Sequence, residues 1–162
     1  MQTYIGTKLV KMRPMNRADY NTYRGWTLPA DEDGTDEGYL VEYLDGGKPN
    51  VPGHEGYVSW SPKAQAEAAY RLTSGMPFGL AVEAMKKGLK VARAGWNGKG
   101  MFVFLVPGSK FMVNRAPLLG IYPEGTEITY RPHMDLKTAD GSVSTWAPSG
   151  SDALAEDWLI TE

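Results

Sequence analysis

Six consecutive apolar residues, Met101–Val106, stand between the turn sequence "GWNGKG" and Pro107-Gly108. No longer apolar run exists in the chain, and six residues fall far short of the roughly 20 that a membrane-spanning helix needs. A run of this length between turn formers is a buried strand. Just upstream, Phe78, Ala81, Val82 and Met85 recur at i, i+3, i+4 and i+7, one face of a helix. Lys86 and Lys87 suit that helix's negative C-terminal end, and Gly88 suits a left-handed cap. A helix delivered onto a buried strand restricts the choice of fold class.

The neighbours extend the pattern. "LKVARA" precedes the run as a strand, and "KFMV" after it is expected to continue the sheet. "EITYRP", "DLKT" and "VSTW" supply further strands, the last two joined at Asp140-Gly141. "SDALAEDW" reads as a helical turn and "WLITE" as a closing edge strand. Asn97-Gly98 fits a type I′ turn, and "NRAPLLGIYPEGT" is a long irregular loop of the kind that often carries function. The prediction is α+β: an antiparallel sheet of about five strands packed on one main helix.

A second unit precedes it. Ser61-Pro62 reads as a cap and first helical position for a helix through "KAQAEAAYRL", and a fresh helix start follows at "TSGMPFG". The boundary therefore falls near residue 73, with domains over 1–73 and 74–162. The first is a small α+β module. "TYIGTKLVKM" is a strand, Asn16 caps a short helix over Arg17–Tyr23, and "YLVEY" and "GYVSW" are hairpin partners across a Gly/Pro-rich loop.

Charge and composition exclude several classes of function. Net charge is −2, which argues against a DNA or RNA binder. Cysteine is absent, so disulfides, thiolate metal sites and a cysteine nucleophile are excluded. The N-terminus lacks the apolar core of a secretion signal, and the expectation is a cytoplasmic protein with no membrane partner. No phosphate-loop or H-E-x-x-H pattern occurs. The acidic stretch "ADEDGTDEG" lacks the later ligands of a calcium loop and reads as a solvated surface. No metal or cofactor is expected.

The charges nevertheless segregate. Between Glu83 and Glu124 lie Lys86, Lys87, Lys90, Arg93, Lys99, Lys110 and Arg115, without a carboxylate. The plain reading is a solvated basic face; the sharper one is a site for a small anion. Trp96 sits inside this window. It offers either a flat stacking face for a purine or a core anchor for the turn. Arg93, Lys99 and Arg115 are candidate phosphate donors. Asn97 and Asn114 can read a base edge or ribose hydroxyls, Tyr122 offers a second aromatic, and Asp135 can accept from a ribose or amino group. His133 and Asp135, two apart on a strand, share a face and form the one candidate acid–base pair. Trp146 and Trp158 read as core.

"ARAGWNGKGMF", "LLGIYPEGTEI", "MDLKTADG" and "SDALAEDW" occur in an order that strongly resembles the second type of Thoeris anti-defence protein, a family of small phage and prophage domains. The resemblance spans about residues 76–161. It implies a binding protein that sequesters nucleotide signals made by bacterial TIR-domain defence proteins, chiefly glycocyclic ADP-ribose and in some members cyclic dinucleotides, without cleaving them. It also implies a homo-oligomer, dimer or tetramer, with pockets at subunit interfaces. Within it Trp96 is the stacking face and Asn97 its polar neighbour. A hydrolase acting on the same signal and a protein-interaction inhibitor of a host defence factor are the competing readings. Residues 1–73 lie outside the resemblance.

Overall fold

A computed structural model describes residues 1–162 and resolves them into two compact units, Met1–Arg71 and Leu72–Glu162. No helix is long and apolar enough to cross a membrane.

The first unit is a three-stranded antiparallel sheet in the order β1-β2-β3, formed by β1 (Val10–Pro14), β2 (Gly38–Tyr43) and β3 (Tyr57–Pro62). Helix α1 (Arg17–Arg24) begins at Asn16, whose side chain accepts from Asp19 N–H, and ends at Gly25 in the left-handed region, φ 69°. It lays Tyr20 on Leu40 and Val58, with Met15, Val51 and Trp60 around them. Asn50 brackets β3: its side-chain amide donates to Val58 O at 2.9 Å and its carbonyl accepts from Val58 N at 2.7 Å. Helix α2 (Lys63–Ala69) departs from expectation. Pro62 is its N-cap, Ser61 makes no capping bond, and the helix stops before Tyr70, which turns extended. The proline sits one position outside the helix because its N-terminal neighbour is still paired in β3, Ser61 opposite Tyr39.

The second unit is a five-stranded antiparallel sheet with one helix on one face. Helix α3 (Phe78–Lys86) leads into β4 (Lys90–Arg93) and β5 (Phe102–Val106). Strands β6 (Ser109–Met112) and β7 (Glu127–Tyr130) follow, then β8 (His133–Lys137), β9 (Val143–Trp146), the short helix α4 (Gly150–Ala153) and β10 (Trp158–Thr161). The sheet order is β10-β4-β5-β8-β9, with β5 central, as the apolar run predicts. α3 buries Ala81, Ala84 and Met85 against Val91, Val103 and Trp158, with Leu105, Met134, Leu136 and Trp146 on the same face. Gly88 takes φ 83°, the left-handed cap expected of it.

Two local expectations fail. β6 does not extend the main sheet: it pairs with β7 in a separate two-stranded arm. The chain has to bend at Pro107-Gly108, where a side chain on Gly108 would stand 2.7 Å from Tyr130 O. Asn97-Gly98 is not a type I′ turn, since neither residue has positive φ; that role falls to Gly100, φ 67°. Gly98 is needed for space instead, because a Cβ there would run into the Met101 side chain.

Candidate functional site

The β4–β5 turn is built from its flanks inward. Arg93 ends β4 and is the hinge of a carboxylate clamp. Its Nε donates to Asp157 Oδ1 at 2.8 Å and one terminal nitrogen donates to Asp152 Oδ1 at 2.9 Å. Asp157 also accepts Gly95 N–H at 3.0 Å on its second oxygen, and its backbone carbonyl accepts Ala94 N–H at 3.0 Å. Asp152 is fixed in turn by a capping box with Ser149 at the start of α4. Trp158 Nε1 donates to Asp152 O at 3.0 Å, which ties the clamp to the core.

The electrostatics follow. Bonding to Asp157 and then Asp152 raises the Arg93 pKa above its ordinary value, against a smaller opposing effect of burial. Asp157 is held below the usual carboxylate range, first by Arg93. For Asp152 burial pushes upward, but Ser149 and Arg93 together outweigh it and the net shift is downward.

The clamp presents Trp96. Its ring meets Trp158 edge-on at 5.5 Å and 76°, and Trp146 at 6.2 Å and 72°. Phe78 closes the group, 5.3 Å from Trp158 and 6.2 Å from Trp146. Trp96 is half-buried: it is anchored on the core and keeps a solvent-facing portion. Asn97 and Lys99 follow it, both exposed.

The other candidates lie elsewhere. Asn114, Arg115 and Tyr122 are exposed on the loop that joins β6 to β7, which leaves the opposite end of β5 from the Trp96 turn. Asp135 alternates with Met134 and Leu136, which face α3, so it projects from the other face of the sheet, opposite Phe104 and Thr145. Its neighbour there is His133, whose Nε2 lies 3.5 Å from Asp135 Oδ1 while Nδ1 faces Arg131 O at 3.0 Å. Within one chain, then, Trp96, Asn97, Arg93 and Lys99 share a turn. The remaining four candidates do not join them.

The basic window also thins. Lys86 pairs with Glu83, Lys110 with Glu127, and Lys90 with the carbonyl of Glu162. Arg93 pairs with Asp152 and Asp157. Lys99 and Arg115 make no such contact.

With this geometry in place, similarity to known proteins becomes informative. The model of the Thoeris anti-defense 2-like domain matches residues 76–161. The chain belongs to that family. The protein named "Thoeris anti-defense 2" from Bacillus phage SP01 is 41% identical over 85 residues, covering 52% of this chain and 93% of that protein. The Thoeris anti-defense 2-like segment contains α3, the whole five-stranded sheet and the Trp96 clamp, and the first unit falls outside it.

Sequence reasoning missed Asp152 as a partner of Arg93. A signal was present, since Ser149-Gly-Ser-Asp152 has capping-box spacing. What the spacing does not reveal is that the capping carboxylate turns its other oxygen toward a residue 59 positions earlier.

Proposed function

We propose that the C-terminal unit is a phage anti-defence module that binds a TIR-derived cyclic ADP-ribose-type nucleotide and holds it uncleaved, so that Thoeris-type immunity stays silent. Glycocyclic ADP-ribose is the first ligand, with cyclic dinucleotides as a second class. The observation that carries this reading is the clamped Trp96 turn inside the family segment. A half-buried indole held by a rigid frame loses little freedom when a base stacks on it, and stacking is worth about 1–3 kcal/mol per base. Asn97 reads polar edges beside it, and Lys99 meets the pyrophosphate.

Arg93 braces the pocket from behind, with its Nε held by Asp157 and one terminal nitrogen held by Asp152. Arg115, Asn114 and Tyr122 reach a ligand from a second copy of the chain in a homo-oligomer, dimer or tetramer; their separation from Trp96 within one chain supports that arrangement. Asp135 faces away from the Trp96 side and is the weakest candidate of the set. The protein acts in the host cytoplasm, where the signal is made.

The test is incubation and release. Purified protein is mixed with glycocyclic ADP-ribose, free ligand is filtered away, and the retained fraction is heated and read by mass spectrometry. Intact ligand that leaves the filtrate and returns on heating is the expected result. Return as fragments makes the protein a hydrolase and moves attention to His133 and Asp135. Ligand that never leaves the filtrate overturns the reading for this isomer.

A further inference from the structure

The first unit holds a constellation that nucleotide binding by the second does not use. Four elements bring Arg13, Tyr23, Glu42 and His54 together. Tyr23 Oη lies 2.6 Å from His54 Nε2. On the other side of the ring, His54 Nδ1 lies 2.9 Å from Glu42 Oε2, a close contact set off the ring N–H direction. Glu42 is buried in β2, and its other oxygen accepts Glu55 N–H at 2.7 Å and Gly56 N–H at 3.2 Å, so the carboxylate cannot swing away. The Arg13 guanidinium sits over the Tyr23 ring, 5.4 Å from its centre, and is itself exposed.

The proton positions follow from the donor inventory. An ionised carboxylate only accepts, so the ring proton of neutral His54 belongs on Nδ1, the ring nitrogen next to Glu42. Nε2 is then a lone pair and Tyr23 is the donor to it. A phenol whose proton already points at a base, with a carboxylate behind that base, has the layout of an activated nucleophile. A clasp that only pinned the loop between β2 and β3 would have no need of an open end. Here Tyr23 is 37% exposed, and Arg13 stands beside it free to receive anionic oxygens.

We propose that Tyr23 is a nucleophilic phenol that accepts a phosphoryl group, with His54 as its base, Glu42 as the positioning residue and Arg13 as the anion-binding group. In the step, Tyr23 Oη forms a bond to phosphorus as the bond from phosphorus to the leaving group breaks. The phenol proton passes to His54 Nε2 and from there to the leaving group, Glu42 stabilising the imidazolium in between. The product is a phosphotyrosine, and no oxidant or reductant is involved.

The full chain is the reagent for the test. It is treated in one arm with an arylsulfonyl fluoride, a neutral probe of nucleophilic phenols, and in the other with phosphoramidate, a small anionic phosphoryl donor. Modified tyrosines are located by peptide mass spectrometry. Tyr57 and Tyr130, each 47% exposed, are internal standards in the same molecules. The expected result is sulfonylation of Tyr23 at least tenfold faster than of Tyr57 and Tyr130, and phosphate from phosphoramidate on the Tyr23 peptide alone. H54A brings the Tyr23 rate down to that of Tyr57, and R13A removes the phosphate while sparing sulfonylation. Equal rates at the three tyrosines of the unmodified chain overturn the proposal, and that comparison stands even where H54A fails to fold. Fast sulfonylation without phosphate overturns the phosphoryl assignment.

Discussion

Asp157 grips Arg93 and the turn beyond it at the same time: one carboxylate oxygen accepts Arg93 Nε at 2.8 Å and the other accepts Gly95 N–H at 3.0 Å. The guanidinium is thereby held in place at the start of the turn that carries Trp96.

D157N and R93K should therefore weaken ligand binding alike. The lysine keeps the charge but cannot bridge two carboxylates, and the asparagine removes the charge that holds the guanidinium. Each is expected to lower affinity by roughly tenfold or more and to lower the melting temperature, read by calorimetry and thermal unfolding. If R93K loses binding while D157N retains all of it, Arg93 is a direct ligand contact and the clamp reading is wrong.

W96A should separate from W158A. Trp158 is fully buried, and its truncation should cost about 3–5 kcal/mol of folding stability. Trp96 is only half-buried, so W96A should lose less stability but forfeit the stacking contribution, about 1–3 kcal/mol, or roughly 5- to 150-fold in Kd. Denaturant melts beside titration calorimetry make the comparison, and a W96A protein with undiminished affinity removes Trp96 from the pocket.

Mixing experiments address the oligomer. W96A and R115A should each bind poorly alone. If pockets draw Trp96 and Arg115 from different copies, co-refolding the two variants regenerates some intact pockets and binding returns in part. The absence of any recovery in mixed oligomers would mean that no pocket draws Trp96 and Arg115 from different copies.

Acid should act on the first unit through Glu42. Its pKa falls from the ordinary 4.5 to about 2, chiefly through the His54 contact and then through the N–H groups of Glu55 and Gly56, against the effect of burial. A carboxylate depressed in the folded state stabilises the fold above its unfolded value. That contribution is lost as pH falls from about 4.5 toward 2. E42Q should be less stable at neutral pH and show a flatter acid limb over this window, followed by circular dichroism. An unchanged acid limb would mean that the Glu42 contact does not contribute.

Much of this was legible from local pattern. The 3.6-residue spacing of Phe78, Ala81, Val82 and Met85 marked α3, and Asn16 marked the start of α1. The run at Met101–Val106 marked the central strand. The outward face of Asp135 was readable too, since Met134 and Leu136 on either side of it face the core. The arm of β6 and β7 was less accessible. "KFMV" has strand composition in either sheet, and its partner is decided by the bend at Gly108 against Tyr130 and Pro132.

The chain's own order of residues determines its helices, its hairpins and the family segment, because those rest on periodicity, turn chemistry and short-range contacts. Tertiary structure alone decided which charges are available. Arg93 meets carboxylates 59 and 64 positions away, and Tyr23 meets His54 31 positions away. Ion pairs and proton paths depend on distances of a few ångströms between side chains. No local pattern encodes those distances until packing has closed the chain upon itself.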